Sequence, residues 1–552
     1  TEQHSRNEAR RIRTRVNEAR NNRHPAGLRW PFELLQNALD SGPRAGKSSI
    51  TIVLTFTAKE VVFEHDGAPF TSEDLAALLS GGSSKEFESD KTTGRYGTGF
   101  LVTHVLAERT NLSGILQLPQ GYETFQLTLD RGGNEESILK NIMACNEAIR
   151  DAEPVDQLDG IPSARFAYPV NDSETMNVGA AALRDALPYL FVTREMLQFV
   201  VLDTQRGTER WSASDSVVES IDGGYVKWRT ITVDIDQEAS RVLRTYRFMR
   251  GPSSTSAALL LIEQTANGWT CIIPHPEAPR VYREYPLRAS TFVPINFILD
   301  GKFEPDQERN GLLMGAQDKQ LLEEALIAGI SGVQYAFKHS WEGAHRLAVA
   351  TLPDTSFDPA NHEERQWWCE RLAHFANVLA RLPIVDCRGT YLPAITEEGA
   401  YADFLVPRLV PAAGTDETTI DRLWMVASSV TTLCPPSKEL AADWSSIAEG
   451  WVKLGVQLKR CTVSAVAQFA KDDASVLDEL NVEGNKLAWL ATFLDIVGEC
   501  WQRRNGIDTT SLDGLLPNQK YQLCSPGQLR RDGGISSDLK DVCLAMGLDI
   551  RG

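Results

Sequence analysis

The chain has 552 residues, 42% apolar and 24% charged, with 56 basic and 74 acidic side chains and a formal net charge of −18. That length implies about three domains, give or take one, with enough apolar content to bury large cores. The charge argues against a surface that binds nucleic acid throughout, although it leaves local basic patches open. No apolar run approaches the ~20 residues that a bilayer span requires, and residues 1–23 have no apolar core of the kind a signal peptide carries. Nine scattered cysteines without a C-x-x-C pair speak against a disulfide framework or a compact zinc site and for reduced thiols in a cytoplasmic protein.

Residues 1–23 carry seven arginines against three glutamates, with Ile12 and Val16 four apart. This spacing predicts a basic helical arm (1–24), either a solvated helix face or an arm that swaps onto a partner subunit. Phe32, Leu35 and Leu39 place a helix over 30–40. Two β-branched, alternating runs at 49–57 and 60–64 predict an antiparallel hairpin. A short helix follows at 72–79. Five glycines between 81 and 99 mark a mobile loop, and another helix starts over 100–107. Strands are expected near 123–129 and 165–170.

A second α+β unit (191–340) shows strand patterns at 225–235, 257–263, 269–273 and 292–299. Beyond 341 the pattern is mainly helical, as at 362–382 and 485–500. Two Pro- and Tyr-punctuated insertions, beginning at Leu382-Pro383 and Leu516-Pro517, form a weak internal repeat. The overall fold class is α+β, with helices on one sheet face in the segment 25–190.

Gly42-Pro-Arg-Ala-Gly46-Lys47-Ser48 imitates a phosphate loop, but it has three residues between its glycines and runs from helix to strand, so it reads as a surface turn. Three other segments carry more chemistry. Glu33, Asn37 and Asp40 fall within a helical sector of about 60°. A carboxylate one turn from an amide suits a metal-nucleotide site, because Mg²⁺ prefers oxygen donors and a carboxylate can polarise water. His65-Asp66-Gly67-Ala68-Pro69-Phe70 ends a strand, where Asp66 could accept from an exocyclic amine and Gly67 could let a flat ring approach. Gly94-Arg-Tyr-Gly97-Thr98-Gly99-Phe100 feeds glycines into a helix N-terminus, a phosphate-attracting arrangement.

In this order, the three segments resemble the GHKL, or Bergerat-fold, ATPases: gyrase, heat-shock chaperone, histidine kinase and MutL. Glu-Leu-Leu-Gln-Asn-Ala, His-Asp-Gly-Ala-Pro-Phe-Thr, and Ser84-Lys85 through Phe100 resemble the boxes of the sacsin and large heat-shock-chaperone branch. The resemblance implies a Bergerat-fold ATPase α/β sandwich over 25–190, a middle, transducer-like domain over 191–340 and a mainly helical region over 341–552. It implies Glu33 as general base, Asn37 as Mg²⁺ ligand, Asp66 as adenine reader and Asp40 beside the nucleotide. Lys85 and Gly94 would belong to the lid and third box, and Gly97, Thr98, Gly99 and Phe100 would cradle the phosphates of ATP.

Two departures stand out. Pro69 replaces the last glycine of the second box, and a gapless match puts His65 on the adenine instead of Asp66. Ala164 occupies the position of the family's supporting threonine, leaving Ser163 as its substitute. Val293 through Asn310 resembles the sacsin-like middle-domain segment, which implies a basic residue reaching the γ-phosphate: Arg309, or alternatively Lys302. Segments from Leu516 to Arg551 resemble sacsin-type C-terminal stretches. With a start that lacks Met, they lead to the expectation that this chain is a piece of a longer protein.

The resemblance therefore implies a slow ATP hydrolase that closes on Mg-ATP as a conformational clamp, a homodimer or one with a partner protein subunit. It would serve protein remodelling or bacterial anti-phage defence. A non-hydrolysing nucleotide-binding scaffold and a MutL- or topoisomerase-like DNA clamp are the competing readings. Intact Glu33 argues against the first and the acidic total against the second.

Overall fold

A computed structural model describes residues 2–81, 99–156, 158, 160–170, 172–205, 207–283, 285–306, 311–353, 362–396, 401–405, 417–502, 513–518, 520–529 and 533–547. The protein is α+β and divides into two units: 1–291 with 297–332, and 292–296 with 333–552. Among the described residues, no helix is long and apolar enough to cross a membrane.

In the first unit the helices are α1 (Glu2–Asn21), α2 (Arg23–Ser41), α3 (Ser72–Ser80), α4 (Glu135–Arg150), α5 (Ser173–Thr193) and α6 (Ala316–Lys338), the last running on into the second unit. The strands are β1 (Ile50–Phe56), β2 (Glu60–His65), β3 (Arg109–Leu118), β4 (Gly121–Asp130), β5 (Glu153–Val155), β6 (Ala164–Pro169), β7 (Leu197–Thr204) and β8 (Gly207–Ala213). They continue as β9 (Val217–Ile221), β10 (Gly224–Ile235), β11 (Arg241–Met249), β12 (Ser256–Thr265), β13 (Gly268–Ile272), β14 (Val281–Tyr282), β15 (Pro286–Leu287) and β16 (Ile298–Gly301). All belong to one mixed sheet in the order β15-β14-β16-β12-β11-β10-β8-β7-β1-β2-β6-β3-β4-β5, with β13 on β12 and β9 on β10. Segments 25–190 and 191–340 both contribute strands to it, joined where β1 pairs parallel with β7.

Alternation explains the centre of the sheet. β1 buries Ile50, Ile52, Leu54 and Phe56, while Thr51, Val53 and Thr55 stay half-buried. Its antiparallel partner β2 runs in the register Ile52 opposite His65 and Phe56 opposite Val61. The hairpin thus follows the period-2 pattern read from sequence. Trp30, Leu34, Leu35 and Ala38 of α2 share a core with Leu183, Leu187, Leu190 and Phe191 of α5. Arg229 of β10, 1% exposed, donates to the carbonyls of Phe191 (2.7 Å) and Leu197 (3.0 Å), and so caps the C-terminal end of α5. The basic arm is helical and buries Ala9, Ile12 and Val16 against Leu101 and Ile138 of its own unit.

Two expected elements differ. The helix over 100–107 is instead a 3₁₀ segment, Gly99–Val105. Thr103 donates its hydroxyl to the Phe100 carbonyl at 2.7 Å, and a β-branched Val102-Thr103 pair disfavours further helical turns. Of the strand expected over 292–299, Ile298 and Leu299 join the sheet, and Ile295 makes an isolated bridge to Ala350. Pro294 lacks an amide donor, and Ile295 turns back onto the Val293 carbonyl at 3.0 Å.

The second unit carries α7 (His362–Ala380), α8 (Glu417–Ser428), α9 (Ala441–Lys453), α10 (Val463–Lys471), α11 (Lys486–Gln502) and α12 (Ser537–Ala545). One core gathers Leu423, Val426, Val466, Trp489 and Phe493. Both halves of the weak repeat are small antiparallel hairpins, Val385–Cys387 with Thr390–Leu392 and Leu516–Pro517 with Leu523–Cys524.

Gly179, inside α5, tests how tightly α2 is held. Helix propensity favours alanine there by about 1 kcal/mol. A Cβ at Gly179, however, would lie 2.2 Å from Trp30 Nε1 and 2.7 Å from the Gly27 carbonyl oxygen. Gly179→Ala should therefore destabilise the protein by about 1–3 kcal/mol in urea unfolding; a stabilised variant would contradict this packing.

Candidate active site

Helix α2 presents two unlike faces. Trp30, Leu34, Leu35 and Ala38 enter the core, while Arg29, Glu33, Asn37 and Asp40 follow one another at spacings of three and four on another stripe. Glu33 is only 8% exposed. Arg29 Nη2 donates to its Oε1 at 3.0 Å. On the other carboxylate oxygen, Gly99 approaches so closely that a Cβ built there would sit 2.0 Å from Oε2. A Cβ at 99 would have to displace this carboxylate. The first and third sequence boxes thus meet at one carboxylate. Asn37, one turn on, is exposed, and partly buried Asp40 pairs with Arg194 through Oδ1 and Nη2 at 3.4 Å.

The second box sits against the far end of α2. A Cβ on Gly67 would lie 2.0 Å from Ser41 Oγ and 3.2 Å from the Ala38 carbonyl oxygen. Ser41 Oγ accepts from the Ala68 amide at 3.1 Å and donates to the Ala38 carbonyl at 2.6 Å. Ser163, 7% exposed, donates to the Gly67 carbonyl at 2.7 Å. Ala164 pairs with His65 across β2 and β6. The second box, Ser163 and α2 are therefore neighbours.

His65 and Asp66 point to different tasks. The Asp66 carboxylate accepts from the Thr51 amide at 2.8 Å and lies 3.3 Å from Lys47 Nζ, and Lys47 also donates to the Asp66 carbonyl. His65 is 7% exposed, and its Nδ1 accepts from the Gly67 amide at 3.0 Å. An accepting Nδ1 leaves the neutral ring's proton on Nε2. Burial above all, with Lys47 adding and Asp66 opposing, pushes its pKa down to about 4.

Phe100 packs its ring 5.4 Å from Phe166 of β6, and Phe70 packs on the same ring at 6.4 Å. The Phe100 side chain therefore serves the core beneath the third box. Lys302 is exposed just after β16, where its amide donates to the Thr255 carbonyl at 3.1 Å. Lys85, Gly94, Gly97, Thr98 and Arg309 lie outside the described residues. Among the described residues, no group of three or more His, Cys, Asp or Glu side chains could hold a metal ion. A single amide oxygen at Asn37 still fits Mg²⁺, which keeps waters and substrate phosphates as most of its ligands.

Sequence reading missed one side of Glu33. Arg29, Glu33 and Gln36 of α2 line a recess together with Arg283, Tyr285 and Arg288. Arg29 stands four residues before Glu33, a spacing that could have revealed the pair. The other three arrive by tertiary packing, which no local pattern encodes.

No protein-family model matches the chain, and a search of curated proteins finds no match.

Two of the buried histidines, His65 and His104, give the fold a pH dependence. His65 is held to about 4 and His104 to about 3, in each case mainly by burial. From pH 6.5 downward the unfolded chain takes up protons that the folded chain does not, so their contribution is complete above 6.5 and lost as pH falls toward 4. His65→Asn keeps an acceptor for the Gly67 amide but cannot titrate. Relative to the parent, it should remove at most about 3 kcal/mol of stability loss over that window, measured by denaturant titration at several pH values. Identical slopes would show that His65 does not titrate as a buried neutral ring.

Proposed function

We propose that this chain is a Bergerat-fold ATPase that binds Mg-ATP along α2 and uses slow hydrolysis to drive a conformational clamp. The observation that carries this reading is the meeting of three separate segments on one helix: Gly99 at Glu33, and Gly67 with Ser163 at the far end. At both places the glycine backbone packs against α2 itself, which holds the three segments to one helix.

In this reading the adenine lies by Gly67 and Ser163. His65, rather than Asp66, is the side chain beside it, because the Asp66 carboxylate is already engaged by the Thr51 amide and Lys47. Asn37 would hold Mg²⁺, whose chemistry is to neutralise phosphate charge. Glu33 takes the proton of the attacking water, and its low exposure keeps competing water away. Protein remodelling or anti-phage defence in the cytoplasm, as a homodimer or with a partner subunit, is the setting that the family resemblance suggests.

A second reading is favoured by a specific contact. Arg29 holds Glu33 at 3.0 Å, and a carboxylate so engaged is not turned toward an attacking water. Nucleotide binding without turnover follows if that pair persists with ATP bound.

Calorimetry with Mg-ATP and a steady-state phosphate-release assay separate these. Glu33→Ala should bind ATP as the parent does while losing about 10²–10⁴-fold in turnover. Asn37→Ala should lose the Mg²⁺ dependence of binding. Absence of binding at millimolar ATP would refute both readings, and a parent that binds without turnover would select the scaffold.

A further inference from the structure

Strand β10 is long enough to serve two neighbours on one side. Its residues 231–235 pair with β8, and its residues 224–228 pair with β9. Ser214 divides the two. Its amide donates to the Thr230 carbonyl at 2.8 Å, its carbonyl accepts from Arg229 Nε at 2.7 Å, and its Oγ accepts from the Thr230 amide at 3.1 Å. The outer neighbour of β8 is β7, whose first antiparallel pair is Phe199 opposite Ser212, so β7 does not run on beside β9. Among the described residues β9 therefore pairs with β10 alone.

The turn decides which backbone groups are left over. Ile221 sits opposite Gly224 across Asp222 and Gly223, so this closing pair is hydrogen-bonded, and such pairs alternate along an antiparallel ladder. Ile221, Glu219 and Val217 consequently bond to β10, whereas Val218 and Ser220 turn their N–H and C=O outward. The side chains of this edge are exposed from 217 to 220, with Val217 at 47% and Val218 at 59%. Edge strands are commonly guarded by lysine, proline or a bulge, which block pairing with another chain. β9 has an unbroken register and a single charge, Glu219.

We propose that the free edge of β9 is a docking surface for a second copy of this chain, whose own β9 adds antiparallel about a two-fold axis at Val218. Charge selects that register. With Val218 opposite its copy, Val217 lies opposite Glu219 and Ser216 opposite Ser220 of the second chain. An axis at Glu219 would set two carboxylates face to face, and an axis at Val217 would set Glu219 against Asp215. Axes at Ser220 or Ile221 would run most of the strand past the turn. The Val218 axis alone puts β-branched apolar side chains together at the centre, where opposed pairs stabilise a sheet. The contact is isologous, the usual form of a two-fold homodimer. It involves neither α2 nor a nucleotide, so it stands apart from the ATPase reading.

The test is sedimentation of the full chain, without nucleotide, from roughly 1 µM to 1 mM. This range is chosen because one strand pair buries less than the ~800 Å² per partner of a standard interface, which makes the dimer weak. A monomer–dimer equilibrium is expected. Val218→Lys should weaken it by about tenfold or more, because two ammonium groups then meet at the axis. Val218→Pro should abolish it while keeping the β10 ladder, which does not use the Val218 amide. Circular dichroism checks the fold of both variants. Treated with a short thiol cross-linker, Val218→Cys should join to its copy and Ser220→Cys should not, with the parent as the control for native cysteines. A parent that is monomeric throughout, a dimer that the folded Val218→Lys variant leaves unchanged, or cross-linking through Ser220→Cys in preference would each overturn the proposal. A dimer lost in Val218→Lys and captured by Val218→Cys would support it.

Discussion

Glu33 is a carboxylate on a helix and is only 8% exposed, a placement that costs several kcal/mol unless the charge is paired. Two neighbours meet that cost and constrain everything around it. Arg29, one turn earlier, supplies the countercharge. Gly99 supplies room, because a Cβ at 99 would push the carboxylate out of its place. Close backbone approach recurs at the other end of the helix, where Gly67 rests against Ala38 and Ser41. Helix α2 is packed closely at both ends, and its opposite face shows how it is held: Trp30 packs on Gly179 of α5, and Arg229 fastens the end of α5 to β10.

The same helix also separates local from global electrostatics. The chain as a whole carries −18, yet the recess beside Glu33 collects three arginines. Asp40 pairs with Arg194, so the polar stripe of α2 alternates between carboxylates that already hold arginines and an exposed amide at Asn37. An overall negative charge sets solubility and disfavours broad nucleic-acid binding, whereas arginines gathered at one recess act locally. The two are compatible because a Debye length of about 8 Å at physiological ionic strength limits how far surface charges are felt.

Much of this arrangement was legible in the sequence where the signal is local. Phe32, Leu35 and Leu39 marked α2, and the alternation from Ile50 to Phe56 marked the hairpin that supports the second box. Grouping Glu33 with Gly99, and Gly67 with Ser163, came from the resemblance rather than from any periodicity. What local pattern could not supply was depth and direction. Glu33 looks like a solvated face residue until Gly99 is placed on it. His65 and Asp66 are adjacent and both polar, but alternation along β2 buries one, while the Thr51 amide and Lys47 hold the other. The apolar spacing over Gly99–Val105 fits an α-helix as well as the 3₁₀ segment that forms there, so period alone does not separate them. Arg283 and Arg288 lie some 250 residues from Arg29 in sequence, and their approach is decided by the fold of the sheet.

A structure of the full chain with Mg²⁺ and a non-hydrolysable ATP analogue should show the base beside His65, Gly67 and Ser163, with the phosphates running along α2 toward Gly99 and Glu33. A nucleotide bound away from α2, or an adenine amine held by the Asp66 carboxylate, would contradict it.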